Sequence, residues 1–271
     1  MGREPGVVEG YETLSLVQKG PVHYLNLNRP DRHNCMTAQM VEELLHYWGE
    51  RLLDEETRLV VFSGSGDHLT GGLDLKEPLP VLGADAAGAM RFMRDYGEII
   101  VRMRRCPQPI VIAMQGVSAG GGLALALASD IRIAGASMRT NAAFVRLGLS
   151  GTEMGVSYLL PRLVGAAVAS DLCLTGRLVD ASEALALGLV SRVVPDEDLD
   201  ETVEEVVAQI MANDAFAIRL TKEALNASLS MGSLDAAIAM ENRNQSLAFV
   251  GRAPQEGVKA FLESRSARSS R

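Results

Sequence analysis

Cysteine is scarce in this chain, and its three copies, Cys35, Cys106 and Cys173, stand far apart. An odd number of cysteines with no pair at redox or metal-binding spacing argues against a disulfide framework. Histidine is rare as well, and no histidine, cysteine and carboxylate residues cluster at the spacing of metal ligands. We therefore expect free thiols, no bound metal and a reducing compartment.

Positive charge is also in short supply. The chain has 26 Lys and Arg residues against 34 Asp and Glu residues, which gives a net charge of −8. This balance argues against nucleic acid, or an anionic membrane surface, as the main partner. A small anionic ligand stays possible, because a few basic residues can outweigh the global charge at close range.

Long hydrophobic runs are missing, although 47% of the 271 residues are hydrophobic and suffice for a sizeable core. The most apolar region is interrupted by Gln115, Asp130 and Arg132, so it cannot span a bilayer. The opening residues MGREPG lack the apolar stretch of a signal peptide. These absences predict a cytoplasmic protein that has no membrane partner.

Glycine, by contrast, is abundant and is concentrated in the middle of the chain. Ile110–Met114 has the length and composition of a buried strand, and Gly116 and the triplet Gly120–Gly122 follow it. Residues 123–129 then predict a small apolar helix, and residues 130–134 a second strand. Glycines at a strand-to-helix junction uncover backbone N–H groups at a helix N-terminus, where an anion or a developing oxyanion is favoured.

Strand and helix patterns alternate up to about residue 195, and everything after Pro195 has helical periodicity. We predict an α/β core at 1–195 and a helical region at 196–271 that forms a second layer or an oligomerisation arm. Residues 1–10 are predicted to be a loose arm, and 63–88 a long loop. The predicted strands are 22–28, 59–62, 110–114, 130–134 and 190–194, and the predicted helices are one with Thr37 as its N-cap and those at 89–104, 123–129, 152–164, 166–174, 181–187, 197–212, 214–229, 233–249 and 254–265.

One helix has a predicted orientation that bears on the site. In the helix at 89–104, the inward face is predicted from the helical period to consist of the residues Met90, Met93, Gly97, Ile100 and Val101.

A serine motif occupies the central glycine-rich bend. Gly116-Val117-Ser118-Ala119-Gly120 matches the G-x-S-x-G pattern that carries the nucleophile of many serine hydrolases. In that fold the catalytic histidine follows the serine, whereas all four histidines here precede Ser118, the last being His68. A hydrolase is therefore one hypothesis, and a supporting role for Ser118 in the turn is the other. The loop at 64–72 matches neither a dinucleotide loop nor a phosphate loop.

Five segments form a recognisable series along the chain. They are LNRPDRHNCM at 27–36, LTGGLDLKE at 69–77, the strand, glycine triplet and helix of 111–130, LTGRLVDASEALALGLVSRVV at 174–194 and AFLESR at 260–265. In this order they resemble the enoyl-CoA hydratase/isomerase (crotonase) family, and the resemblance covers essentially the whole chain.

The resemblance implies a fold, an oligomer and a ligand. The fold would be α/β, a crotonase-like spiral of β-β-α units, and its C-terminal helical region would form a homotrimer or a dimer of trimers. The ligand would be an acyl-CoA thioester, with coenzyme A as part of the substrate and no permanently bound cofactor. Two backbone N–H groups, of Leu73 and Gly121, would donate to the thioester oxygen. Each such donor can contribute about 2.7–4 kcal/mol when an enolate forms.

The same resemblance implies that five residues bind CoA or the substrate. Lys76 and Arg32 would lie near the CoA phosphates, and Phe261 and Arg265 would reach the CoA site of a neighbouring subunit. Asp74 would cap a short helix at 74–77 that presents the Leu73 N–H. For each basic residue a solvated surface charge is the alternative, and Ser264 stands where the family often has Lys.

The chain departs from the family at the two positions where hydratases carry catalytic glutamates. Ala124 and Phe144 stand there, and neither side chain can move a proton. Adding water to a conjugated thioester needs a base for the water and a proton source for Cα. The usual pair of carboxylates is missing, and we expect Ala124 and Phe144 to line a hydrophobic acyl pocket instead.

One carboxylate is left as a catalytic candidate. Glu153 falls where dienoyl-CoA isomerases of the family carry an active-site Asp, if one residue is inserted. A lone carboxylate can take a proton from one carbon and return it to another, which is isomerase chemistry. The alternative is that Glu153 is a residue of the first turn of a helix, where an acid is favoured whatever the function.

Three hypotheses follow from the sequence. The first is an enzyme of the hydratase (lyase) or isomerase type that stabilises a thioester enolate. The second is an acyl-CoA-binding protein without turnover, because both usual glutamates are replaced. The third is a serine hydrolase that uses Ser118.

Overall fold

The computed structural model describes residues 6–8, 10–77 and 84–250, together with the single positions 255, 258, 259 and 262. The strands in this part of the chain are β1 (Gly6–Val8), β2 (Leu14–Lys19), β3 (Val22–Leu27), β4 (Leu59–Gly64), β5 (Ile110–Met114), β6 (Val117–Ala119), β7 (Ile131–Gly135), β8 (Arg139–Asn141), β9 (Val179–Asp180) and β10 (Arg192–Val194).

The helices follow the strands in the alternating order that the sequence predicts, and the prediction of an α/β fold is confirmed. Short 3-10 turns lie at Pro30–Arg32, Ala143–Leu147 and Asp196–Asp198. The α-helices of the described residues are α1 (Ala38–Arg51), α2 (Ala86–Arg105), α3 (Gly121–Ala128), α4 (Val156–Val164), α5 (Ala166–Thr175), α6 (Ala181–Ala186), α7 (Leu199–Met211), α8 (Ala215–Ser228) and α9 (Leu234–Val250).

The larger sheet has seven strands in the order β1-β2-β3-β4-β5-β7-β10. The β1-β2 and β2-β3 pairs are antiparallel, and every pair from β3 to β10 is parallel. A smaller sheet has three strands in the order β6-β8-β9, and its first strand, β6, follows β5 directly in the chain. Since parallel strands end at the same edge, the loops that follow β3, β4 and β5 meet on one side of the sheet.

The core follows from the burial of the parallel strands. All five residues of β5 are buried, which is typical of a strand covered on both faces. Helices α1 and α2 contribute buried residues to the same core as the strands, and a hydrogen bond of 2.6 Å from Arg102 Nη1 to the Leu45 carbonyl joins the two helices. Thr37 caps α1 as predicted, because its hydroxyl accepts a hydrogen bond from Met40 N at 3.1 Å.

The predicted orientation of α2 is wrong by part of a turn. Its buried residues are Tyr96, Ile99, Ile100 and Met103, spaced as one helical face, whereas Met90 is 67% exposed and Val101 37% exposed. The 3.6-residue period predicts a face but not its phase when apolar residues lie on two adjoining sides of a helix. The consequence is that Tyr96, which the prediction left out, faces inward.

The prediction for the N-terminal residues also needs correction. Gly6–Val8, predicted as part of a loose arm, forms the edge strand β1 and pairs with β2, which the pattern analysis missed. A strand that depends on pairing with its neighbour has little signal in its own short sequence.

The described chain divides into two compact units, residues 1–209 and residues 210–271. In the second unit α8 and α9 are joined by a hydrogen bond of 3.5 Å from Asn244 Nδ2 to the Leu220 carbonyl. The predicted helix at 254–265 lies largely outside the described residues. Within the described chain, none of the helices combines the length and hydrophobicity that crossing a bilayer requires.

Candidate functional site

Two glycine-rich bends run side by side at the carboxyl edge of the parallel sheet. The loop after β4 is joined to the segment after β5 by three backbone hydrogen bonds: Leu69 N to Gln115 O at 3.0 Å, Thr70 N to Val117 O at 3.1 Å and Ala119 N to Thr70 O at 3.1 Å. The last two form a parallel bridge between Thr70 and Ser118. The two bends therefore have a defined register.

The Leu73 N–H is oriented by the peptides on either side of it. Met36 N donates to Gly72 O at 2.7 Å, and Asp74 N donates to Met36 O at 3.0 Å. Since the Gly72–Leu73 peptide is trans, its N–H points opposite to its carbonyl, that is, away from Met36. Within the described chain no hydrogen bond occupies this N–H.

The Gly121 N–H is oriented by the start of α3. Gly120 has a φ of +54°, which favours glycine, and its N–H donates to Asn141 O at 3.0 Å. The Gly120 carbonyl accepts the first helical hydrogen bond, from Ala124 N at 3.2 Å. The Gly121 N–H therefore points out of the helix, and no group of the described residues accepts it.

The two N–H groups lie close together. A Cβ added to Gly72, whose φ is +91°, would lie 3.9 Å from Gly121 N and 2.9 Å from Ala119 O. This close approach of the two bends explains why glycine occupies position 72. Both donors open onto one cavity, because Gly72, Leu73, Gly120 and Gly121 all line it.

The cavity has a volume of about 540 Å³ and is largely apolar. Its walls include Phe92, Met93, Phe144, Leu147 and Met154. Among the described residues that line it, only Tyr96 and Glu153 carry polar side chains. An apolar cavity with a few converging polar groups is the usual form of a small-molecule site.

Glu153 lies before α4 rather than in it, which corrects the predicted helix at 152–164. The helix begins at Val156, and its N-cap is Gly155, which has no side chain to cap with. Met154 and Gly155 both adopt left-handed backbone conformations, with φ of +50° and +79°, immediately before the helix. Met154 is buried and is not a glycine, so its left-handed conformation is strained. Strained residues cluster at functional sites.

The Glu153 side chain is half-buried, and none of the hydrogen bonds of the described residues involves its carboxylate. Burial raises its pKa above the ordinary value of a glutamate. The alternative role, an acid in the first helical turn, does not fit this geometry. What the arrangement can do is hold or release a proton close to the two N–H donors, because all three groups border the same cavity.

Asp74 is held by two arginines rather than by a helix. Its carboxylate lies 2.9 Å from Arg29 Nη1 and 3.2 Å from Arg32 Nη2, and its Oδ1 accepts from Lys76 N at 3.1 Å. Residues 74–77 form a turn, so the predicted short helix is wrong. Burial alone would raise the pKa of Asp74, but the hydrogen bonds from Arg29, Lys76 N and Arg32 lower it below the ordinary value.

The remaining predicted site residues fall into three groups. Lys76 is exposed, next to the Asp74 turn, and Phe144 lines the cavity at 7% exposure. Ala124 is fully buried in the core and does not line the cavity, so its predicted place in an acyl pocket is wrong. Phe261 and Arg265 lie outside the described residues.

Ser118 has no access to the cavity. It is fully buried, its hydroxyl has no hydrogen-bond partner in the described chain, and it is absent from the cavity walls. Its carbonyl accepts a hydrogen bond from Thr140 Oγ1 at 2.7 Å. A nucleophile needs to meet its substrate, so the geometry favours the supporting role over the hydrolase hypothesis.

Two residues near the site were missed by sequence reasoning. Tyr96 could have been found by a helical face drawn through Ile99, Ile100 and Met103. Arg29 gave no local signal, because its contacts are with Cys35 O, Asp74 and Glu77, and the two acids lie more than forty positions further along the chain.

Comparison with known proteins identifies the class. The sequence profile of the enoyl-CoA hydratase/isomerase family matches residues 18–269. Over 248 residues the chain is 38% identical to the probable enoyl-CoA hydratase EchA12 of Mycobacterium tuberculosis, covering 88% of this chain and 87% of the relative. Over 260 residues it is 35% identical to the 1,2-epoxyphenylacetyl-CoA isomerase of Escherichia coli K12, covering 93% and 96%.

Solved structures agree with the sequence comparison. A provisionally named enoyl-CoA hydratase from Thermobifida fusca YX, in complex with acetoacetyl-CoA, superposes with a TM-score of 0.81 at 34% identity, covering 88% of this chain and 95% of the other. Fold and site thus define an α/β protein with the crotonase architecture. The chain belongs to the enoyl-CoA hydratase/isomerase family, which confirms both the resemblance and the expectation of an enzyme.

Proposed function

We propose that this protein is an acyl-CoA isomerase that moves a carbon–carbon double bond next to the thioester, using Glu153, the only carboxylate among the described residues that line the cavity. The observation that carries the proposal is the convergence of three groups on one cavity: the N–H groups of Leu73 and Gly121 and the carboxylate of Glu153. The names of relatives, which include both hydratases and an isomerase, support this class of substrate.

The two N–H groups would bind the thioester oxygen. When a proton leaves the carbon next to a thioester, negative charge develops on that oxygen. Two donors held by the backbone need no rearrangement to meet this charge, and each can contribute about 2.7–4 kcal/mol in a site that excludes water. The Thr70–Ser118 bridge and the glycine at position 72 support this function, because they hold the two bends in register.

Glu153 would carry the proton. In a 3-enoyl thioester, the ionised carboxylate takes a proton from C2, and the electron pair of that C–H bond forms a dienolate whose charge rests on the thioester oxygen. The carboxylic acid then gives the proton to C4, so the double bond moves from C3–C4 to C2–C3. No atom or electron is gained or lost, and no second acid is needed. A raised pKa suits this role, since the carboxyl must both accept and release a proton near neutral pH.

The CoA portion would be bound at the mouth of the cavity. Lys76 is exposed beside the Leu73 bend and is free to approach a phosphate. Arg32 shares Asp74 with Arg29, so it would contribute to CoA binding only in part. The complex of the Thermobifida fusca neighbour with acetoacetyl-CoA supports CoA as part of the substrate. We further propose that the helices after residue 195 mediate assembly into a homotrimer or a dimer of trimers, which light scattering would test.

A second candidate function is acyl-CoA binding without turnover. The observation that favours it is Phe144, an apolar side chain in the cavity wall where the resemblance predicts a catalytic glutamate. Hydration is the third outcome, and it would require a water bound beside Glu153 and another proton source.

The decisive experiment offers 3-octenoyl-CoA and trans-2-octenoyl-CoA to the protein and follows the absorbance of the conjugated thioester, with product analysis by chromatography. We expect interconversion of the two enoyl esters, and Glu153→Gln should lower kcat by about 10²–10⁴-fold. The matched control is Glu42→Gln, which alters an exposed carboxylate on α1. A 3-hydroxyacyl product would indicate hydration instead. Tight binding of both esters without turnover would support the binding protein.

A further inference from the structure

The cavity contains one polar side chain that the proposed reaction does not use. Of the described residues in its walls, Glu153 and Tyr96 are the only ones with polar side chains, and the isomerisation needs only Glu153. Tyr96 is 5% exposed, and within the described chain no group forms a hydrogen bond with its hydroxyl. The Tyr96 hydroxyl oxygen is not one of the fully buried side-chain atoms without a partner in the described chain, so it keeps surface open to the cavity, where a ligand atom can accept its hydrogen bond.

Tyr96 and Glu153 lie on facing elements. Ile100 is one helical turn after Tyr96 on the same face of α2, and its Cγ2 is 3.5 Å from the position of a Cβ added to Gly155. Gly155 is two residues after Glu153, so the segment that carries the carboxylate packs against the helix that carries the tyrosine. The Tyr96 ring is positioned from the other side by Phe92, whose ring centroid is 4.9 Å away at an interplanar angle of 41°.

The hydroxyl keeps its proton. Burial, and then the charges of Glu153 and Glu77, raise the pKa of Tyr96 well above that of a free tyrosine. At neutral pH it is therefore a hydrogen-bond donor. No hydrogen bond of the described residues joins the Tyr96 hydroxyl to the Glu153 carboxylate, and both side chains line the cavity, so the hydroxyl is available to a ligand.

We infer that Tyr96 is a specificity-determining residue: its hydroxyl donates a hydrogen bond to an oxygen on the acyl group, at C3 or C4, and so selects oxygen-bearing acyl groups over plain hydrocarbon chains. This inference rests on the proposed function, because it assumes that the thioester oxygen binds at Leu73 and Gly121. From there the first carbons of the acyl group pass beside Glu153. A hydrocarbon chain bound here would displace water from the Tyr96 hydroxyl without accepting a hydrogen bond from it. A site that donates a hydrogen bond discriminates against a ligand that has no acceptor.

The test is a double comparison of ligands and variants by isothermal titration calorimetry. The ligands are octanoyl-CoA, 3-hydroxyoctanoyl-CoA and 4-hydroxyoctanoyl-CoA. The proteins are Glu153→Gln, which lacks the proposed proton carrier and so leaves the esters unchanged, and the double variant Glu153→Gln/Tyr96→Phe. A double variant with Tyr158→Phe is the control, because it removes the hydroxyl of an exposed tyrosine on α4.

We expect at least one hydroxy ester to bind about 10- to 100-fold more tightly than octanoyl-CoA when Tyr96 is present. Tyr96→Phe should reduce that ratio to near one and leave the affinity for octanoyl-CoA unchanged, whereas Tyr158→Phe should preserve the ratio. A ratio that is the same with Tyr and Phe at position 96 would overturn the inference while the proposed function stands. Failure of all three esters to bind would overturn both.

Discussion

Thr70 and Ser118 are joined by a parallel bridge, and Leu73 and Gly121 each lie three residues further along the two bridged segments. The equal offset is what brings the two free N–H groups to neighbouring positions. Because the bridge consists of backbone hydrogen bonds of 3.1 Å, the register does not depend on any one side chain. The backbone pairing of the two loops therefore sets the positions of the two N–H donors.

Gly72→Ala should damage the site more than the fold. The new Cβ would approach Ala119 O to 2.9 Å in a residue with a φ of +91°, so the two bends would have to separate. Loss of one aligned donor predicts a fall in kcat of about 10²–10³-fold on an enoyl-CoA. Steady-state kinetics and thermal unfolding would be measured on the same preparation.

The matched control for that substitution is Gly20→Ala. Gly20 has a φ of +60°, but a Cβ there would meet no atom within 4 Å. Both variants should lose about 1 kcal/mol of stability through the left-handed backbone, and Gly72→Ala should lose more because its Cβ also meets a backbone oxygen. Only Gly72→Ala should lose activity, and equal kinetics in the two variants would contradict the role of the bends.

The pH dependence of the reaction should report Glu153. The base must be ionised, and its pKa is raised by burial, so kcat/KM should increase with pH through a value above the usual glutamate pKa of about 4.3. This acid limb should vanish from the residual activity of Glu153→Gln. An acid limb that persists in the variant would assign it to another group.

Ionisation of Glu153 should raise activity but lower the stability of the folded protein. A carboxyl with a raised native pKa binds its proton more tightly in the folded state, so its favourable contribution is complete below the unfolded pKa and is lost as pH rises through the native pKa. Glu153→Gln should therefore unfold at a higher temperature than the parent protein at pH 8. The difference should shrink near pH 4, and calorimetry at both pH values would check this.

Asp74→Asn should destabilise the protein by about 3 kcal/mol, because Arg29 and Arg32 lose the buried carboxylate that they share. Since the native pKa of Asp74 is lowered, its contribution exists above the ordinary Asp pKa and disappears as pH falls through the native value. Asp171→Asn is the control, since its ion pair with Arg177 is exposed and should cost less than about 1 kcal/mol. Urea unfolding curves would compare the two variants.

Ser118→Ala should leave turnover of acyl-CoA unchanged and should not destabilise the protein. The hydroxyl is fully buried without a partner in the described chain, so its removal relieves an unsatisfied polar group. Thr140→Val should instead cost about 1 kcal/mol, because the Thr140 hydroxyl donates to Ser118 O at 2.7 Å. Loss of acyl-CoA turnover in Ser118→Ala would revive the nucleophile hypothesis.

The sequence by itself determined the local elements and the family. Ile110–Met114 forms the strand that its apolar run predicts, and the glycine triplet that follows opens α3 at Gly121. These features depend on neighbouring residues, whose spacing is visible in the chain. Where the signal was weak or ambiguous, as in the strand Leu14–Lys19 and in the inward face of α2, the prediction failed.

Only the tertiary structure decided which side chains share the cavity. Tyr96 and Glu153 are separated by 57 positions and line the same cavity because α2 lies next to the segment before α4, where a Cβ added to Gly155 would be 3.5 Å from Ile100 Cγ2. The ion pairs of Asp74 and the burial that raises the pKa of Glu153 have the same origin. Burial and long-range contacts arise from packing the whole chain, so no spacing within one segment can encode them.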